Sequence, residues 1–112
     1  MYNDPIPFKL PRRLEHEGSV NVETLTGDKT LDNKSGQYQI LTNSKGSIAV
    51  LKLPEKADGL WYWIKCTHTS AHTINIKDAE NVDIIATPNL GADKACLLVC
   101  DGSNWSVVFE QT

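Results

Sequence analysis

The chain is short of most features that announce a chemistry. It has three cysteines, an odd number that argues against a disulfide framework. Cys96 and Cys100 fall on one predicted strand, where four residues separate Cα atoms by roughly 13 Å, about twice the reach of a disulfide. They cannot pair with each other. Reduced thiols suit a protein assembled in a cytoplasm, where small buried cysteines fill the core. A basic stripe is missing too, since 11 Lys and Arg are scattered among 14 Asp and Glu for a net charge of -3. Nucleic acid is therefore not an expected partner. The apolar runs around Ile84 and Leu97 are far shorter than the roughly 20 residues that span a bilayer, so no membrane partner is expected. The first 13 residues lack the apolar stretch of a signal peptide, and the expectation is a soluble protein not secreted through a cleaved signal.

Catalytic signatures are equally scarce. There is no Gly-x-Ser-x-Gly elbow, no Gly-rich phosphate loop and no His-Glu-x-x-His, so neither an enzyme nor a cofactor is expected. Cys66, His68 and His72 lie close enough in sequence to share a zinc ion. A structural zinc site, however, wants four ligands at recognisable spacing, and Cys96 and Cys100 cannot complete a compact set, so no metal is expected. Glu15 and Glu17 flank His16 as solvated charges. Asp78, Glu80 and Asp83 cluster around a turn, where such residues are favoured locally, and a shallow calcium site is the rarer outcome. Asn33 and Asn104 head Asn-x-Ser sequons that read as chance matches without secretion.

What is present points to strands. The 112 residues allow one domain, and 40% hydrophobic with 22% charged residues is the balance of a folded globular chain. Residues 1–18 read as an extended arm and 19–112 as the domain. In the arm Pro5, Pro7 and Pro11 forbid a helix, while Ile6, Phe8 and Leu10 alternate with Pro7 and Lys9 and share one side of an extended segment. That pattern suits lying in a groove.

From Val20 on, short β-branched and aromatic segments end in Gly, Asn, Asp or Ser clusters. Val20 and Val22 alternate before Gly27-Asp28, residues 37–42 follow the cluster 33–36, and residues 47–53 follow the cluster 43–46. Ile48 and Val50 on one side and Leu51 and Leu53 on the other suggest cover on both faces. Leu60, Tyr62, Ile64 and Cys66 then alternate with Trp61, Trp63 and Lys65. Residues 73–77, 82–87 and 95–100 complete the run, and Asp101-Gly102-Ser103-Asn104 is a hairpin turn into Trp105, Val107 and Phe109. No stretch keeps the i, i+3, i+4, i+7 recurrence of a helix. The expected fold is all-β, an antiparallel β-sandwich or jelly-roll-like barrel of about eight short strands with an extended N-terminal arm.

The pattern Leu53-Pro54, Gly59-Leu60 with Tyr62 and Ile64, Thr73-Ile74, and Asp101-Gly102-Ser103-Asn104-Trp105 with Val107 resembles small β-domains of tailed-bacteriophage virion proteins. The resemblance covers roughly residues 20–109. It implies a capsid decoration (cement) protein, a homotrimer bound to the major capsid protein on the virion surface after assembly in the host cytoplasm. Ile6, Phe8 and Leu10 are then the capsid-binding anchors. If Tyr62 is core, Trp61 and Trp63 face outward and need cover. With Trp105 they are candidates for contact with another subunit or with a ligand. The alternative is a head-fibre or tail-fibre tip module that binds a host receptor or glycan by stacking sugars on these rings.

Overall fold

The computed structural model describes residues 19–87 and 89–111. The predicted arm anchors Ile6, Phe8 and Leu10 lie outside the described residues. Within them the protein is all-β, with strands β1 (Val20–Leu25), β2 (Lys29–Thr30), β3 (Tyr38–Asn43), β4 (Ala49–Lys52), β5 (Asp58–Cys66), β6 (Ile74–Lys77), β7 (Asn89–Leu90), β8 (Lys94–Asp101) and β9 (Trp105–Glu110). They form a five-stranded sheet, in the order β1-β3-β5-β8-β9, and a four-stranded sheet, β2-β4-β6-β7.

Both sheets are mixed, which corrects the expectation of antiparallel pairing throughout. Through β6 the chain crosses from one sheet to the other after every strand, so each strand's neighbour lies one full coil away and runs the same way. The clusters at Gly27-Asp28, 33–36 and 43–46 are corners between sheets, not hairpins. Local turn chemistry is the same for a corner and a hairpin, so the sequence does not tell them apart. After β6 the pairing changes. β7 runs antiparallel to β6, β8 to β5, and β9 to β8. The last of these is the expected hairpin. Asp101 Oδ1 accepts from the Ser103 and Asn104 amides, and Gly102 takes a φ of 97° that a side chain would resist.

Side chains from both sheets form one core. Leu25, Leu41, Tyr62, Ile64, Cys66, Cys96 and Leu98 contribute from the larger sheet, and Ala49, Leu51, Ile74, Ile76 and Leu90 from the smaller. Tyr62, the largest fully buried side chain, donates its hydroxyl to the Asp32 carbonyl at 2.8 Å. Asn43 is also fully buried. Its amide donates to the Ser47 and Thr73 carbonyls, and its Oδ1 accepts from the Lys45 amide, tying the corners of successive coils together. At the β1 end the inward row turns polar. Asn21 donates to Gln39 at 2.9 Å and to Glu23 at 3.0 Å, and Glu23 pairs with Lys29 at 2.9 Å.

Two further expectations are corrected. Residues 82–87 do not form a strand; only a bridge between Lys77 and Asp83 remains. The Glu110 carboxylate instead accepts from the Ala86 and Thr87 amides and the Thr87 hydroxyl. A side chain thus takes the backbone groups that a ladder would need. The second correction concerns residues 47–53, where Ala49, Leu51 and Leu53 are buried but Ile48 is exposed. That segment is covered on one face only.

Candidate functional site

The two sheets present unlike outer faces. On the smaller sheet Thr30 and Lys52 stand side by side, next to Lys77, whose ammonium pairs with Asp83 at 2.8 Å. That exterior is polar. On the larger sheet the pleat sends Tyr62, Ile64 and Cys66 inward and Trp61, Trp63 and Lys65 outward. Strand register then lines up Val20, Tyr38, Trp63, Leu97 and Phe109 in one continuous row across all five strands. Trp61 beside Val99 forms a second row, and Val22 beside Ile40 begins a third.

The rings in this patch are ordered against one another. Trp63 stacks on Phe109 across Leu97, with centroids 5.8 Å apart and planes 7° from parallel. Tyr38 meets Trp61 edge to face at 5.5 Å. Such pairs add roughly 0.5–1.5 kcal/mol each beyond the area they bury. Even so, Val20 is 57% exposed, Val22 74% and Phe109 43%. The only strand cation on these rows, Lys65, donates to Asp93 Oδ1 at 2.8 Å and holds that carboxyl below its ordinary pKa. Below the Lys65 row, Thr42 and Thr67 join hydroxyls at 2.6 Å. The face grades from aromatic to polar along the strands.

The structure places the three tryptophans differently. Trp61 and Trp63 lie on the outer face. Trp105, paired with Cys100, packs inward against the core with its ring 6.0 Å from Tyr62. Its indole N–H is shielded from water without an acceptor among the described residues. Tyr38, Ile40, Leu97 and Val99 are patch members that the sequence did not single out, and Phe109, in alternation with Trp105 and Val107, is turned to the outer face by a bulge opposite Leu97 and Leu98. Each is unremarkable within its own strand, and only the register brings them together.

The potential metal ligands are separated. Cys66 points into the core, where burial pushes its thiol pKa up, while His68 and His72 are exposed. In the acidic turn Asp78 Oδ1 accepts from the Glu80 and Val82 amides, and Asp83 faces Lys77. Among the described residues no group of three or more His, Cys, Asp or Glu is placed to hold a metal ion. A groove of about 500 Å³ runs past Leu31, Asp32, Pro54 and Lys56 at the edge of the smaller sheet. Its lining also carries the charged side chains of Lys52 and Glu55.

A scan against protein-family models found no match, and neither a search of curated proteins nor one of solved structures returned a similar chain.

Proposed function

We propose that the protein is a structural component of a larger assembly, a capsid decoration protein that acts as a homotrimer and binds the major capsid protein through its N-terminal arm. The observation that carries the assembly part is the apolar outer face of the five-stranded sheet, which no other described residues cover. Soluble monomers rarely expose contiguous apolar patches beyond a few hundred Å², and larger ones mark interaction sites. The phage and capsid parts rest on the sequence resemblance. In this reading the β-sandwich is a rigid body and the work is mechanical. Three linked arms would engage the shell at high effective concentration, which offsets the cost of ordering each one.

Thirteen extended residues reach at most roughly 45 Å, enough to leave one capsid subunit and clamp the next. Deleting residues 1–13 should leave the domain folded and abolish co-sedimentation with empty capsids of the parent phage. Undiminished co-sedimentation would overturn the arm mechanism. The fibre-tip reading needs open ring faces for sugar stacking, and here Trp63 and Phe109 already stack on each other. Selective binding on a glycan array, lost in Trp63→Ala, would favour it over cement.

A further inference from the structure

We infer that the outer face of the five-stranded sheet is the surface on which copies of this chain associate, with the row Val20, Tyr38, Trp63, Leu97 and Phe109 at its centre. The inference rests on the assembly reading of this face and names its occupant as a second copy of the chain. It does not depend on the capsid.

Three observations select that occupant. The first is extent. One row crosses all five strands and the rows on either side cross part of them, so at spacings of about 4.8 Å between strands and about 6.8 Å between rows they fill most of a footprint of about 24 by 20 Å. That is at most on the order of 500 Å² per copy before ring relief is counted, so a contact between two copies buries up to on the order of 1,000 Å², the size at which specific interfaces begin. One extended segment laid on this patch covers one row and leaves the others wet. The sheets of neighbouring copies cover them all.

The second observation is charge. Two copies of a chain with net charge -3 repel in general. This face limits the problem, because Lys65 and Asp93 neutralise each other at its polar end, the aromatic rows carry no charge, and Asp58 and Asp101 beyond Trp61 and Val99 stay exposed at its rim. Like faces can therefore meet without burying an unpaired ion, which association through the lysine-bearing smaller sheet would risk. The third is order. The Trp63–Phe109 stack and the Tyr38–Trp61 contact hold four rings in place before any partner arrives. Docking then costs little side-chain entropy.

The test is sedimentation velocity on the full chain over a range of micromolar concentrations. The wild type should sediment at a multiple of its 12.4 kDa mass. Leu97→Asp and, on the exposed edge strand, Phe109→Ser should each raise the dissociation constant by at least about tenfold, as loss of a central hot-spot side chain does. Far-UV circular dichroism would verify that each variant is folded, and Phe109→Ser carries the test if Leu97→Asp is not. Lys52→Glu, on the opposite sheet, should leave association unchanged. On dilution below the dissociation constant the wild type's tryptophan emission should shift to the red.

A wild type that stays monomeric overturns the inference. Its emission would then tell whether residues 1–18 cover the face (blue, independent of concentration) or nothing does (red). Association that survives both patch substitutions overturns it as well, by placing the interface elsewhere. Capsid binding is read separately. A chain that assembles but does not bind capsids removes the cement reading alone, and a monomer that binds them removes this interface alone.

Discussion

Asn43 shows how much a single side chain can carry in this fold. It is fully shielded from water, and its amide group satisfies two carbonyls and one amide from two different corners of the chain. Truncation would leave those partners buried without a match, and each such loss costs roughly 1–3 kcal/mol. Asn43→Ala is expected to lower unfolding free energy by about 3 kcal/mol, measured by urea denaturation. Trp105 is the converse case. Its shielded N–H has no acceptor among the described residues, so Trp105→Phe trades some packing for the removal of an unsatisfied donor. The expected change is within about 1 kcal/mol, and a loss several times larger would mean that the N–H is satisfied in solution. Neither role is written in the sequence. An asparagine at a strand end reads as a turn signal, and a tryptophan after a hairpin reads as one more outward ring.

At the scale of elements, strands were legible and pairing was not. Alternation placed Tyr62, Ile64 and Cys66 on one side of β5 because the pleat is a local property with period two. Which strand lies beside which depends on whether a Gly-Asp or Asn-Ser cluster bends the chain back in its own sheet or across to the other. Coil spacing decides that. Val20 pairs with Tyr38 and Tyr38 with Trp63, separations far too long for hairpins. The segment 82–87 departs from a strand for a related reason, since Val82, Ile84 and Ile85 have strand composition but the Val82 amide is taken by Asp78 and the Ala86 and Thr87 amides by Glu110. Glu110→Gln keeps the shape and loses the charge that strengthens three hydrogen bonds. Limited proteolysis should then cut within 84–87 faster than in the wild type, with global stability reduced by about 1 kcal/mol or less.

For the whole molecule the telling property is the contrast between two exteriors. The outward tryptophans of β5 followed from alternation, but the row they join did not, because it runs across strands distant in the sequence. Electrostatics also acts at this scale. Glu23, Asp28, Asp83, Asp93, Asp101 and Glu110 all have their pKa lowered, by hydrogen bonds from neighbouring side chains or backbone amides. Lowered folded values mean stability that is present above the ordinary 3.8 to 4.5 and is lost as pH falls through them. On the alkaline side burial pushes Tyr62 and Cys96 each up to about 12, and Cys66 upward too. Their contribution is complete below the ordinary 9 to 10 and fades as pH rises toward 12. Thermal melting across pH should therefore show a plateau between those limits with losses on both sides.

The polar inward row at the β1 end has a consequence for growth. Coiled parallel sheets present open edges, here β1 and β2, on which another coil could be templated without end. Asn21, Glu23 and Lys29 fill the space where a further layer would need apolar cover, and they satisfy one another there. They act as a terminal cap of the kind that keeps repeat architectures soluble. If copies associate through the one broad face as inferred, a cap at this end would favour closed particles over filaments.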